Sequence, residues 1–118
     1  MALLKKILKN DYKEVVIKWT GSGSDTLTLA SLPATGQTVS GTPAVDIVTV
    51  TTTSTGAITV TRNTQVALDI AGNFEYYFDD IHGVVNENST YDIVVNLVAT
   101  GTLFMRVRKQ SGYSAPTL

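Results

Sequence analysis

Apolar and polar residues alternate with a period of two along most of this chain. In residues 90–109, TYDIVVNLVATGTLFMRVRK, Tyr91, Ile93, Val95 and Leu97 fall on one face, with Asp92 and Asn96 on the other. Leu103, Met105 and Val107 then share a face opposite Phe104, Arg106 and Arg108. That period marks half-buried strands, and Ala99-Thr100-Gly101 between the two runs predicts a tight antiparallel hairpin. A hairpin alone is marginal in water, so the rest of the chain has to cover its apolar face.

The preceding segments supply candidates. Residues 14–20, EVVIKWT, put Val15, Ile17 and Trp19 on one face, and residues 26–32 turn Leu27 and Leu29 inward; the GSGSD run at 21–25 predicts a hairpin between them. Residues 33–43 form a polar connection. In residues 44–52 the apolar parity switches near Ile47-Val48, which predicts a bulge or a strand buried on both faces. After a loop at 51–56, residues 57–61 pair with 65–70 across Arg62-Asn63-Thr64, with Val66, Leu68 and Ile70 alternating. Residues 74–78, FEYYF, make a short aromatic strand, and 79–88 are polar and aperiodic. About eight short strands at this spacing predict an all-β fold, an antiparallel β-sandwich of jelly-roll or immunoglobulin-like type over residues 11–113, with a tail at 114–118.

The first ten residues break the pattern. Leu3, Leu4, Ile7 and Leu8 recur at helical spacing opposite Lys5, Lys6 and Lys9, which fits a short amphipathic helix or an arm. Nine residues do not hold a helix alone. The stripe therefore needs a surface: its own domain, a neighbouring subunit or a membrane face.

Composition sharpens this only in places. At 118 residues the chain is one domain's length, and with no cysteine it has neither disulfides nor a thiolate site. The net charge of −1 conceals an uneven spread: residues 1–18 carry +3, residues 19–105 carry −7 and the remainder +3. Such a dipole suits head-to-tail contacts or docking on a charged shell. No apolar run reaches the ~18 residues of a membrane span, and MALLKKIL is too short and too interrupted by lysine for a signal peptide.

Candidate chemistry is sparse. His82, the one histidine, stands near Asp79 and Asp80, too little for a transition-metal site or an assigned general base. GSGSD lacks the lysine and following helix of a phosphate-binding loop, and no GxSxG occurs. The expectation is no catalytic set, no cofactor and no metal. Trp19, Tyr76, Tyr77, Phe78 and Tyr91 could serve as a sugar platform, but cores and interfaces use the same residues. Asn88-Ser89-Thr90 matches a glycosylation sequon. Arg106, Arg108 and Lys109 lack the basic neighbours of a nucleic-acid stripe, so neither nucleic acid nor a membrane is an expected partner.

Three phrases, QTVSGTPAVDIVTV (37–50), ITVTRNTQVALDI (58–70) and STYDIVVNLVATGTLFMRVRKQSGY (89–113), together with VVIKWTGSGSDTLTL near the start, resemble small all-β virion structural proteins of marine tailed phages such as T4-like cyanophages. The resemblance implies a homo-oligomeric or multi-copy, non-enzymatic component of the particle: a decoration protein on the capsid surface, made in the host cytoplasm, whose partners are the major capsid protein or other virion proteins. A tail, neck or baseplate component, or a carbohydrate-binding module, are the alternatives. On this reading the docking residues are Leu3, Leu4, Lys5, Lys6, Ile7, Leu8 and Lys9 of the 1–10 arm, with Arg106 and Arg108.

Overall fold

The computed structural model describes residues 3–77 and 90–114. Among the described residues the strands are β1 (Leu4–Asn10), β2 (Glu14–Leu27), β3 (Thr38–Ser54), β4 (Ala57–Arg62), β5 (Gln65–Ala71), β6 (Phe74–Tyr77) and β7 (Ile93–Ser114), with a 3-10 turn at Leu29–Ser31. All pairings are antiparallel, and β7 is the hub, bonded to β2 on one side and to β3 and β4 on the other.

β7 has 22 residues. At about 3.3 Å per residue a straight strand of that length would run to ~70 Å. The longest dimension of the molecule is 47 Å, so the strand has to bend. Pairing between β2 and β7 jumps from Gly21↔Gly101 to Gly23↔Leu97, leaving residues 98–100 opposite Ser22 alone. At the same level β3 leaves β7 at Ser54↔Gly101 and β4 takes its place from Ile58↔Leu97. The outer partner breaks there too, β5 ending at Ala71 and β6 starting at Phe74. The sheet is thereby creased into two arms, the first made of β1, residues 14–21 of β2, β3, β6 and residues 101–114 of β7, the second of the rest of β2 and β7 with β4 and β5, and it curls into a half-barrel, an all-β, sandwich-like fold.

The expected hairpins at 21–25 and 99–101 are therefore not turns. Both segments lie inside continuous strands at the crease. The crease leaves two extra residues on β7, an even number, so the alternation keeps its parity through the bend. Val15, Ile17, Trp19 and Leu27 of β2 and Ile93, Val95, Leu97, Leu103, Met105 and Val107 of β7 all point into one core. Trp19, fully buried, donates its indole N–H to Asp25 Oδ2 at 2.8 Å, bridging the bend in β2.

Close approach explains the glycine at the crease. A Cβ on Gly101 would stand 2.5 Å from the Thr53 carbonyl oxygen and 2.6 Å from Ser54 Cβ, where β3 peels away.

The predicted parity switch in the third strand is present: Ile47 pairs with Val107 and Thr49 with Arg106, which bulges Val48, and residues 44–48 are buried throughout. The β4–β5 hairpin also forms as expected, around Asn63 (φ 51°) and Thr64 (φ 60°). A register shift between Val60↔Leu68 and Thr61↔Val66 turns Val66 outward, contrary to the simple alternation. Tyr91 also departs from expectation; it precedes β7 and is exposed.

Residues 4–10 are a strand and not a helix. β1 pairs with the edge of β2, whose backbone groups would otherwise lie open, and a bulge after Ile7 breaks the register. Leu3 packs against the core.

The mouth of the half-barrel is closed by polar groups. Arg62, almost fully buried at the end of β4, donates Nε and Nη2 to the Tyr91 carbonyl (3.2 and 2.8 Å) and Nη1 to the Val45 carbonyl (2.9 Å), tying one arm to the other. Leu29 N–H donates to Asp92 Oδ1 at 2.9 Å, and the Tyr113 hydroxyl donates to the Leu29 carbonyl at 2.6 Å. Burial, with a smaller push from Asp92 and against the pull of Arg62, raises Tyr113 to about 12. Ionisation is thus easier in the unfolded chain, near pH 10, than in the folded one. The contribution of Tyr113 is whole below pH 10 and is lost as pH rises towards 12. Tyr113→Phe is expected to flatten stability in that window, measured by urea unfolding at several alkaline pH values; an unchanged pH slope would refute the role.

Candidate interaction surface

The outer face of the first arm gathers side chains from distant parts of the chain. Cross-strand register sets them in rows. One row runs Lys6, Lys18, Phe104, Thr51 and Glu75 across β1, β2, β7, β3 and β6. The next runs Lys9, Val16, Arg106 and Thr49, and beyond it lie Glu14, Arg108 and Asp46. Leu4 begins the row on the other side, opposite Thr20.

Of the nine residues expected to dock, five share this face: Leu4, Lys6, Lys9, Arg106 and Arg108. The bulge in β1 divides the others. Lys5 and Ile7 lie opposite Trp19 and Ile17 and so belong to the inner side of the edge, Leu8 sits in the bulge, and Leu3 is packed on the core. Lys5 Nζ is 3.8 Å from Asp25. Leu4, Ile7 and Leu8 all remain exposed. Lys18 and Phe104 complete the surface. The sequence put Phe104 beside Arg106 and Arg108, but no local signal placed Lys18 and Lys6 in the same row.

The charges on this face are partly matched. Glu14 accepts from Lys9 Nζ (2.8 Å) and Arg106 Nε (2.6 Å), which holds its carboxyl below the usual range and raises Lys9. Asp11 is lowered chiefly by the backbone N–H groups of Glu14 and Lys13, both donating to Oδ1, and so fixes the β1–β2 turn. Arg108 reaches Asp46 at 3.4 Å, and Gln110 also donates to that carboxylate. Lys109 is spent internally: its ammonium donates to Asn10 Oδ1, the Asp11 carbonyl and Gln37 Oε1, and burial lowers its pKa. Among the described residues, Lys6 and Lys18 have no acidic partner within ion-pair distance.

A shallow cleft of about 270 Å³ lies at the crease, lined by residues 51–53 and 73–75, with Phe74 exposed at its side. Its inner hydroxyl is committed, since Thr52 Oγ1 donates to the Gly72 carbonyl and accepts from Phe74 N–H. Tyr76 and Tyr77 contribute backbone to β6. Phe78, Asp79, Asp80, His82 and most of the sequon lie outside the described residues. Among the described residues no cluster of three or more His, Cys, Asp or Glu could hold a metal, and no helix is long and apolar enough to cross a membrane.

No family model matches this chain, and no curated protein matches it. Among solved structures it is similar to SPY1581, a conserved protein of unknown function from Streptococcus pyogenes, at a TM-score of 0.47 and 12% identity over 93% of this chain and 76% of that one. A likeness that distant carries no function.

Proposed function

We propose that this chain is a virion structural protein, a capsid decoration protein that docks on the head exterior through β1 and the outer face of the first arm. The observation that supports it is the gathering of Leu4, Lys6 and Lys9 with Arg106 and Arg108 on one surface, beside the exposed Leu8. Lysines along β1 and its bulge discourage strand addition at that edge, so docking would use side chains rather than backbone ladder bonds. Exposed leucines supply apolar burial and the cations supply orientation, and repetition over many copies turns a modest contact into particle stability.

Removing residues 1–10 would be a poor test, because Leu3 packs on the core and Asn10 donates to the Leu32 carbonyl. The exposed pair Leu4→Ser with Leu8→Ser leaves both intact. We expect that double variant to keep its melting temperature within a few degrees and to lose at least ~10-fold in particle occupancy, two lost apolar contacts being worth about 1–3 kcal/mol. Occupancy is read by quantitative mass spectrometry relative to the major capsid protein. Hundreds of wild-type copies per particle would support decoration; a few dozen would move the protein to the neck, tail or baseplate; absence would end the virion reading.

A further inference from the structure

The row Lys6–Lys18–Phe104 has chemistry that assembly contacts do not require. Lys6 and Lys18 are direct cross-strand partners, an arrangement of like charges that is unfavourable unless an anion lies between them. Their neighbour in the same row is Phe104, an aromatic ring left exposed on a sheet face. Lys18 Nζ lies 5.6 Å from the centre of that ring, near the outer limit of a cation–π contact, so it is easily exchanged for a better partner. Arg106 and Lys9 flank the row, each already engaged with Glu14. Two ammonium groups with no acidic partner among the described residues, beside an exposed aromatic ring, offer one chemistry for a phosphate and one for a base: neighbouring strands are ~4.8 Å apart, and a base stacks on a ring at van der Waals distance.

We propose that this row binds single-stranded nucleic acid, a backbone phosphate lodging between Lys6 and Lys18 while a base stacks on Phe104. The inference goes beyond the assembly reading, applies to the chain when it is not docked on a particle because both use this face, and departs from the sequence expectation of no nucleic-acid partner. Arg106, Arg108 and Lys109 lack basic neighbours along the chain, but folding supplies Lys6, Lys9 and Lys18 from two other strands. A single strand is favoured over a duplex because the ring is useful only to an unpaired base, and over an acidic protein because the ring and the two lysines repeat the phosphate-plus-base unit.

The test is fluorescence anisotropy of a labelled oligothymidylate titrated with the full chain at about 50 and 150 mM salt. Binding is expected to weaken with salt. The double variant Lys6→Gln, Lys18→Gln should weaken it about 10-fold or more and reduce the log–log salt slope by ~0.7, the value for one phosphate contact on a single strand. Phe104→Ala should weaken it at least ~5-fold with the slope unchanged, and Phe104→Trp should restore it. All three positions are on the surface, and thermal melts confirm that the variants remain folded. No binding at low salt overturns the proposal. Binding that ignores Phe104, or that a duplex or an acidic polysaccharide matches at equal concentration, also overturns it, in favour of a generic cation face. Particle occupancy of the same variants is read separately, so failure here and failure of the decoration reading stay distinguishable.

Discussion

Replacing Arg62 with methionine is expected to lower the unfolding free energy by about 3–5 kcal/mol, the range for breaking a buried charged network. For a chain of this size that is a fall of very roughly 15 °C in melting temperature. Methionine approximates the stem of arginine but donates nothing, so the Tyr91 and Val45 carbonyls lose their shared donor. Each buried, unsatisfied carbonyl costs ~1–3 kcal/mol. Asp46 and Asp92, whose negative charges partly offset the burial of the guanidinium, lose a neighbouring positive charge. Arg62→Lys should recover less than half of the loss, since a single ammonium cannot reproduce a planar fork reaching carbonyls on two arms. Chemical denaturation monitored through the buried Trp19 measures both variants. A loss below about 1 kcal/mol in the methionine variant would mean that the arms hold together without the staple.

Gly101→Val should be the second most damaging change, at about 3 kcal/mol or more, which is the upper end of overpacking penalties. The atoms in the way are the Thr53 carbonyl oxygen and Ser54 Cβ, part of the backbone course of β3 as it leaves β7, and they cannot retreat as a flexible side-chain tip would. Thr102→Val, on the outer face one residue away and partly exposed, is the matched control and should cost less than about 0.5 kcal/mol. If the two variants melt together, the crease is not a tight crossing.

The positions that face inward were legible because a period of two survives any amount of long-range rearrangement. Val15, Ile17 and Trp19, Ile93, Val95 and Leu97, and Leu103, Met105 and Val107 all lie on the face that alternation assigns. The bulge at Val48 was legible for the same reason, since a change of parity has few other causes. What alternation cannot decide is whether two in-phase runs joined through a glycine fold back as a hairpin or continue as one bent strand. Residues 90–109 and 14–32 satisfy both descriptions locally, and the choice rests on partners far away in the chain. The same ambiguity affects residues 3–9, where an i, i+4 spacing of leucines and isoleucine is produced equally by a helix and by a strand with a bulge; the open edge of β2 selects the strand. The candidate surface was half legible. Phe104, Arg106 and Arg108 share a face by alternation, whereas their meeting with Lys6, Lys9 and Lys18 is a matter of register, which no local signal encodes.

The position of β7 in the order of synthesis carries a further consequence. It is the last described strand along the chain and the one to which β2, β3 and β4 are all bonded, with Glu14 meeting Arg108. On the ribosome, β2 and β3 emerge with their apolar faces made and their shared partner still to come, so the sheet can be completed only once β7 has emerged. Closing loops of that length makes for slow folding and a long exposure of unpaired edges. A chain released early, stopping before β7, would keep the β1–β2 and β4–β5 hairpins but would lack the strand that joins them. Such a fragment should be recognised as unfolded rather than accumulate as a smaller domain. Yield in the cell is then set as much by protection during synthesis as by the stability of the finished half-barrel.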